Sequence, residues 1–141
     1  MNKLDPTALS ALTSKNYQSG YNCAEAVLSA FNDALKLNLD VKVATAMGGG
    51  IGAAKNLCGA LNGGVIVIGA IFGRNTPNEK VDKIYPIAKA FHDKFRETFA
   101  TTSCFEITKD IEWKSAAHKE HCSKVASKTA EILAETINSA I

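Results

Sequence analysis

Apolar residues along this chain recur at intervals of three and four, and no run alternates with period two over strand length. That spacing predicts helices throughout and no β-sheet. A first helix is expected over 6–15, opened by Pro6 at its first position after Asp5. A turn at QSGYN follows. Asn22 and Glu25 then stand as N-cap and N3 residue of a capping box, and Cys23, Val27, Ala30, Phe31 and Ala34 repeat along one face. Cys23 is thereby placed in a first helical turn, on the core side. A short helix over Val41–Met47 is expected to stop at Gly48, where GGGIG makes a flexible turn through Gly52.

The longest apolar stretch, ALNGGVIVIGAIFG from Ala60 to Gly73, is shorter than the roughly 18 residues of a membrane span. It contains Asn62 and four glycines, and reads as a buried core helix starting near Cys58. Gly59/Gly63 and Gly69/Gly73 form two small-residue pairs, with Gly64 nearby. Each helical glycine costs about 1 kcal/mol relative to alanine. So many in one helix call for a neighbouring backbone that comes close, which makes this the central helix. Beyond RNTPNEK, Ile84, Ala88, Phe91, Phe95 and Phe99 mark one face of an amphipathic helix that Pro86 either starts or kinks. Ser103 and Glu106 resemble a second capping box around Cys104, opening a short helix or turn. Cys122, Val125, Ala126, Thr129, Leu133 and Ile137 line the inner face of a last helix over 117–139. With short loops and no internal repeat, the expected architecture is a single all-α domain over 1–141. It is a compact, antiparallel bundle of five to six helices around the glycine-rich one.

Composition narrows the partners. With 46% hydrophobic and 21% charged residues the chain is globular rather than disordered. The net charge of +2 is evenly spread: six Lys/Arg against four Asp/Glu over residues 1–75, and ten against ten over 76–141. Without a basic stripe no nucleic acid is expected as a partner, and no membrane either. The first twenty residues lack the apolar core of a signal peptide, so the expected compartment is the cytoplasm. There, cysteines are reduced, metal-bound or redox-cycling more often than locked in structural disulfides. Apolar helices at both termini are candidates for homodimer formation.

The distinctive chemistry is four cysteines. A thiol reacts as thiolate, and a helix N-terminus favours negative charge. Cys23 and Cys104 fall at the first position of capping-box helices, and Cys58 starts the glycine-rich helix. Cys122 lies in or just after the first turn of the last one, beside His118 and His121, which could favour the thiolate or take up a proton. Cysteine also packs as a small hydrophobe, so inert buried thiols are an alternative. The separations of 35, 46 and 18 residues contain no CxxC pair, which argues against a zinc knuckle or a thioredoxin-type motif. Dispersed helices can still converge on a metal. Three readings therefore stay open: thiol redox chemistry, ligation of a metal or iron–sulfur cluster, and structural thiols. Cys23 and Cys58 are expected to approach one another, since both begin helices and face the core.

Other motifs carry less. GGGIG fits neither G-x-G-x-x-G nor a Walker A motif, and no strand precedes it. It reads as a tight turn needing positive φ, or as an anion-friendly nest near Cys58. His92 reads as a solvated helix residue. His118 and His121 share a helix face, as ordinary surface histidines or as neighbours of Cys122. Trp113 reads as a lid on the core. There is no Ser-His-Asp order and no paired-carboxylate motif.

Three segments, Tyr21-Asn22-Cys23-Ala24-Glu25-Ala26-Val27, Gly48-Gly49-Gly50-Ile51-Gly52 and Cys58-Gly59-Ala60-Leu61-Asn62-Gly63-Gly64, are followed in order by Cys104 and Cys122. Together they make the chain resemble the C_GCAxxG_C_C family of redox-active proteins, with its four cysteines and CGAxxG motif. The resemblance implies an all-helical fold and a redox role for Cys23, Cys58, Cys104 and Cys122. Small thiols, oxidants or a redox partner protein would be the counterparts. It names no substrate, and the redox label there is itself drawn from the cysteines. A related domain occurs in split-Soret cytochromes beside an iron–sulfur centre, which keeps cluster binding open. The chain has no CxxCH, so covalent haem is not implied, and the cofactor question is left open.

Overall fold

The computed structural model describes all 141 residues, Met1–Ile141. Six α-helices follow in order: α1 (Pro6–Gln18), α2 (Cys23–Leu35), α3 (Gly59–Phe72), α4 (Ile84–Phe99), α5 (Cys104–Thr108) and α6 (Ala116–Ala140). A 3-10 helix, Val41–Met47, lies between α2 and α3. There is no sheet, only an isolated antiparallel bridge between Leu57 and Ser103. α6 packs along α1 and touches α2, α3 and α4, while α3 meets α2, α4, α6 and the 3-10 helix. No helix is long and apolar enough to cross a membrane.

Local signals explain most boundaries. The Asp5 side chain accepts the Thr7 and Ala8 N–H groups, and α1 runs three residues beyond the expected end, to Gln18. The capping box of α2 is complete: Glu25 N–H donates to Asn22 at 2.9 Å, and Asn22 N–H donates to Glu25 at 3.0 Å. α4 opens at Ile84, so Pro86 sits in the first turn, where a missing N–H costs no helical bond. It starts the helix rather than kinking it. The second capping box is only half made. Ser103 Oγ accepts from Glu106 N–H at 3.3 Å, but Thr101 Oγ1 takes the Ser103 N–H, and the Glu106 carboxylate turns to Lys109.

The glycines of α3 divide into two groups. A Cβ on Gly63 would stand 2.5 Å from the Ala24 carbonyl oxygen, and one on Gly64 would run into the Phe91 ring. Here α2 and α4 come in over bare backbone, as expected. Around Gly69 nothing lies within 4 Å, and Val65 on the same stripe is 41% exposed. The Gly69/Gly73 pair therefore serves no helix contact, because no helix covers the outer face of α3. Gly73 is the C-cap. The core beneath is built from Phe31, Leu61, Ile68, Phe91, Phe95 and Leu133, each fully buried.

Gly63→Leu should lower stability by about 1–3 kcal/mol or more through overpacking. Gly69→Leu should hold or raise it, since an exposed helical glycine gives up about 1 kcal/mol of propensity. Urea midpoints of the two variants check the contrast, and equal losses would contradict it.

Candidate functional site

The loop after the 3-10 helix is a left-handed curl. Gly49, Gly50, Ile51, Gly52 and Ala53 take φ of 64°, 70°, 70°, 56° and 62°. The turn expected at GGGIG is there, but it enlists two residues with side chains. Each costs about 1–2 kcal/mol in this conformation. Backbone bonds offset that cost: Gly52 N–H to Ala46 O at 2.9 Å, Lys55 N–H to Gly49 O at 3.0 Å, and Asn56 N–H to Gly50 O at 2.9 Å. The curl delivers residues 56–58 alongside 102–104. Cys58 N–H donates to Thr102 O at 2.8 Å and Cys104 N–H to Asn56 O at 2.6 Å. About the Leu57–Ser103 pair this sets Cys58 and Cys104 diagonally on one face, where Cα atoms in a regular ladder lie roughly 7–8 Å apart.

Cys23 reaches the same place from α2. A Cβ on Gly59 would stand 2.6 Å from its sulfur, so the thiol occupies space that only glycine leaves free. The Cys23 sulfur faces the backbone N–H groups of Gly49, Ala24 and Ala60 as well as its own. Cys58 is the N-cap of α3 and provides no side-chain cap. Cys122 lies in the second turn of α6, and its sulfur faces the Tyr17 hydroxyl at the end of α1. All four cysteines line one cavity of about 990 Å³. None is disulfide-bonded; Cys58 and Cys104 are buried, and Cys23 and Cys122 half-buried.

Burial wins the electrostatic contest at every sulfur. It raises the Cys23 thiol despite four facing N–H groups, and raises Cys58 with the Cys23 charge as second cause. Cys104 is raised by burial and Cys23, against help from Thr108 and Lys55. Cys122 is pushed up to about 12 by burial and then by Cys23 and Cys104, with Tyr17 opposing. The helix N-termini are where expected, but removal from water outweighs their pull, so the thiols are protonated at neutral pH.

One histidine departs from a surface reading. His118 is a buried residue, not a surface one, because α6 turns it inward under Trp113, whose ring lies 4.3 Å away. Its Nδ1 accepts from Lys114 N–H at 3.0 Å, and burial lowers its pKa. His121 is half-buried, with Nε2 3.1 Å from the Ile107 carbonyl. His92 is half-exposed and bonded to Asp93 at 2.9 Å. Trp113 covers the cavity instead of the core, with the Lys55 ammonium 4.6 Å from its ring centre. Tyr17 escaped the sequence reading. Its one signal is the four-residue step from buried Leu9 and Thr13 along α1. Four thiols are suitable donors for iron or zinc. As placed, however, no three His, Cys, Asp or Glu side chains converge into a set that could hold a metal ion.

Comparison with known proteins fits this geometry. No curated protein matches the chain. Among solved structures, the fold is similar to one described as "A novel iron centre in the split-Soret cytochrome c from Desulfovibrio desulfuricans ATCC 27774", with a TM-score of 0.78 and 18% identity. That alignment covers 98% of this chain and 70% of the cytochrome, and at this identity it speaks for the fold. A family profile described as "Putative redox-active protein (C_GCAxxG_C_C)" matches residues 21–136, a span that takes in all four cysteines. The chain belongs to the C_GCAxxG_C_C family.

Proposed function

We propose that this chain is a thiol–disulfide redox protein, passing two electrons and two protons at a time to the disulfide of a small thiol or of a partner protein. The observation that carries this reading is that Cys23 lies within electrostatic reach of the other three thiols, in a single cavity. One cysteine thiol gives up its proton and attacks the incoming disulfide RSSR as thiolate, forming a mixed disulfide and releasing RS⁻, which takes up that proton. A second cysteine then displaces the other RS⁻. Two cysteine thiols and RSSR thereby become one protein disulfide and two RSH. Cys23 is assigned the attack, being half-exposed and facing four backbone N–H groups. Cys58 is assigned the closure, because Cys23 already sits against Gly59 on the same helix end. A reducing compartment such as the cytoplasm would keep the thiols free between turnovers. Neither nucleic acid nor a membrane enters this reading.

The iron centre named for the split-Soret cytochrome favours a second reading, ligation of iron by the same thiols. Against it stands the lack of a converged ligand set.

A thiol count on denatured protein, with metal analysis of oxygen-free preparations, separates the readings. Thiol exchange expects thiols to vanish in steps of two after disulfide treatment, to return with reductant, and iron and zinc to stay far below one per chain. Stoichiometric iron would favour the second reading. Four thiols that never change in metal-free protein would sink both.

The raised thiol pKa values also make stability depend on pH. Cys122, pushed up to about 12, keeps its proton in the folded chain where an unfolded thiol loses it near about 8.5. Its contribution is full below about pH 8.5 and is lost as pH climbs toward its folded value. Urea midpoints of the reduced protein should therefore fall from pH 8 to 11, and Cys122→Ala should make that fall shallower.

A further inference from the structure

The cavity holds more than thiols. His118, 8% exposed, lines it, and its Nε2 is buried with no hydrogen-bond partner. Because Nδ1 accepts from the Lys114 backbone, the neutral ring carries its proton on Nε2. The result is a buried donor without an acceptor, a state that proteins rarely leave uncompensated. Close by, the rim carries Lys114, Lys119 and Lys124 against a single carboxylate, Glu120. Glu120 pairs with Lys124 at 3.3 Å, while Lys114 and Lys119 have no salt-bridge partner. The His118 Nε2 has almost no open surface, so the rim selects the guest, and two free cations there describe a place for a carboxylate-bearing molecule.

Size and access limit what that guest is. At about 990 Å³ the cavity lies at the upper end of small-molecule sites, typically about 300–1,000 Å³. Cys58 and Cys104 are only 5% and 7% exposed, so an incoming disulfide meets half-buried Cys23 first, inside a cavity of small-molecule size. We infer that the counterpart of these thiols is a small anionic disulfide, drawn to the cavity mouth by Lys114 and Lys119 with its sulfur–sulfur bond turned toward Cys23. This rests on the thiol-exchange reading and adds the substrate class. The exchange balances as before: two cysteine thiols and the anionic disulfide give a protein disulfide and two anionic thiols.

Two measurements test it. In the first, reduced protein is oxidised by 3,3′-dithiodipropionate, 2-hydroxyethyl disulfide or cystamine, each rate being divided by that of the same disulfide with a free small thiol. The dianion should exceed the neutral compound by about tenfold, a size that two modest charge contacts supply, and cystamine should be slowest. Lys114→Gln with Lys119→Gln, both exposed positions, should erase most of the preference without unfolding the chain. Equal normalised rates for all three would overturn the anion assignment and leave thiol exchange standing. In the second, Trp113, the only tryptophan, reports on the cavity by fluorescence. The unreactive dianion 3,3′-thiodipropionate should give a saturable change that the double lysine variant weakens and that neutral 3,3′-thiodipropanol does not give. If no disulfide oxidises the thiols, thiol exchange has failed, and this binding result still decides the anion site. No saturable change, or the same change with the neutral compound, would overturn it.

Discussion

Everything at the thiol site depends on one close approach. The carbonyl of Ala24 lies over Gly63 at a distance no side chain would allow, and that contact draws the start of α2 against the start of α3. Because both helices begin at the same level, Cys23 reaches the N-terminal end of α3, where Gly59 again leaves the needed space. The Met47 carbonyl crowds the same position, a Cβ on Gly59 standing 2.8 Å from it. A packing requirement between two helices thus also decides where a sulfur sits. α5 arrives separately, held by the two backbone bonds that join residues 56–58 to 102–104.

That shared enclosure gives the thiols their character. Helix ends and loop N–H groups favour a negative sulfur, while dry surroundings and neighbouring sulfurs oppose it, and the opposition is larger at all four. Such thiols resist casual alkylation and oxidation. Each holds its proton where a free thiol begins to lose it, so its nucleophilic form is scarce at neutral pH. The charge of one sulfur is felt by the others, so they behave as a set rather than as four independent groups.

The helices were legible because their signals are local: Pro6 after Asp5, the Asn22–Glu25 box, and the aromatic stripe of α4. So were the helix starts beside Cys23, Cys58 and Cys104. Three features were not legible. The inward turn of His118 depends on how α6 sits over the Trp113 loop, and a spacing of three from His121 does not contain that rotation. The open face at Gly69 depends on which neighbour is absent, whereas small-residue spacing signals only what is permitted. The net upward shift of the thiols depends on how much water the assembled fold excludes, which no capping motif records.

The left-handed curl at Gly49–Ala53 has a consequence for how the chain survives other enzymes. Exposed loops with small residues are ordinarily where proteases cut. Proteases take their substrates as extended strands, and Ile51 is 52% exposed here. Yet the backbone around it winds in the opposite hand and is bonded at Gly52, Lys55 and Asn56. To be cleaved, the loop must uncoil, which would also release the segment that holds Cys58 beside Cys104. An intact loop is thus a marker of an assembled thiol site.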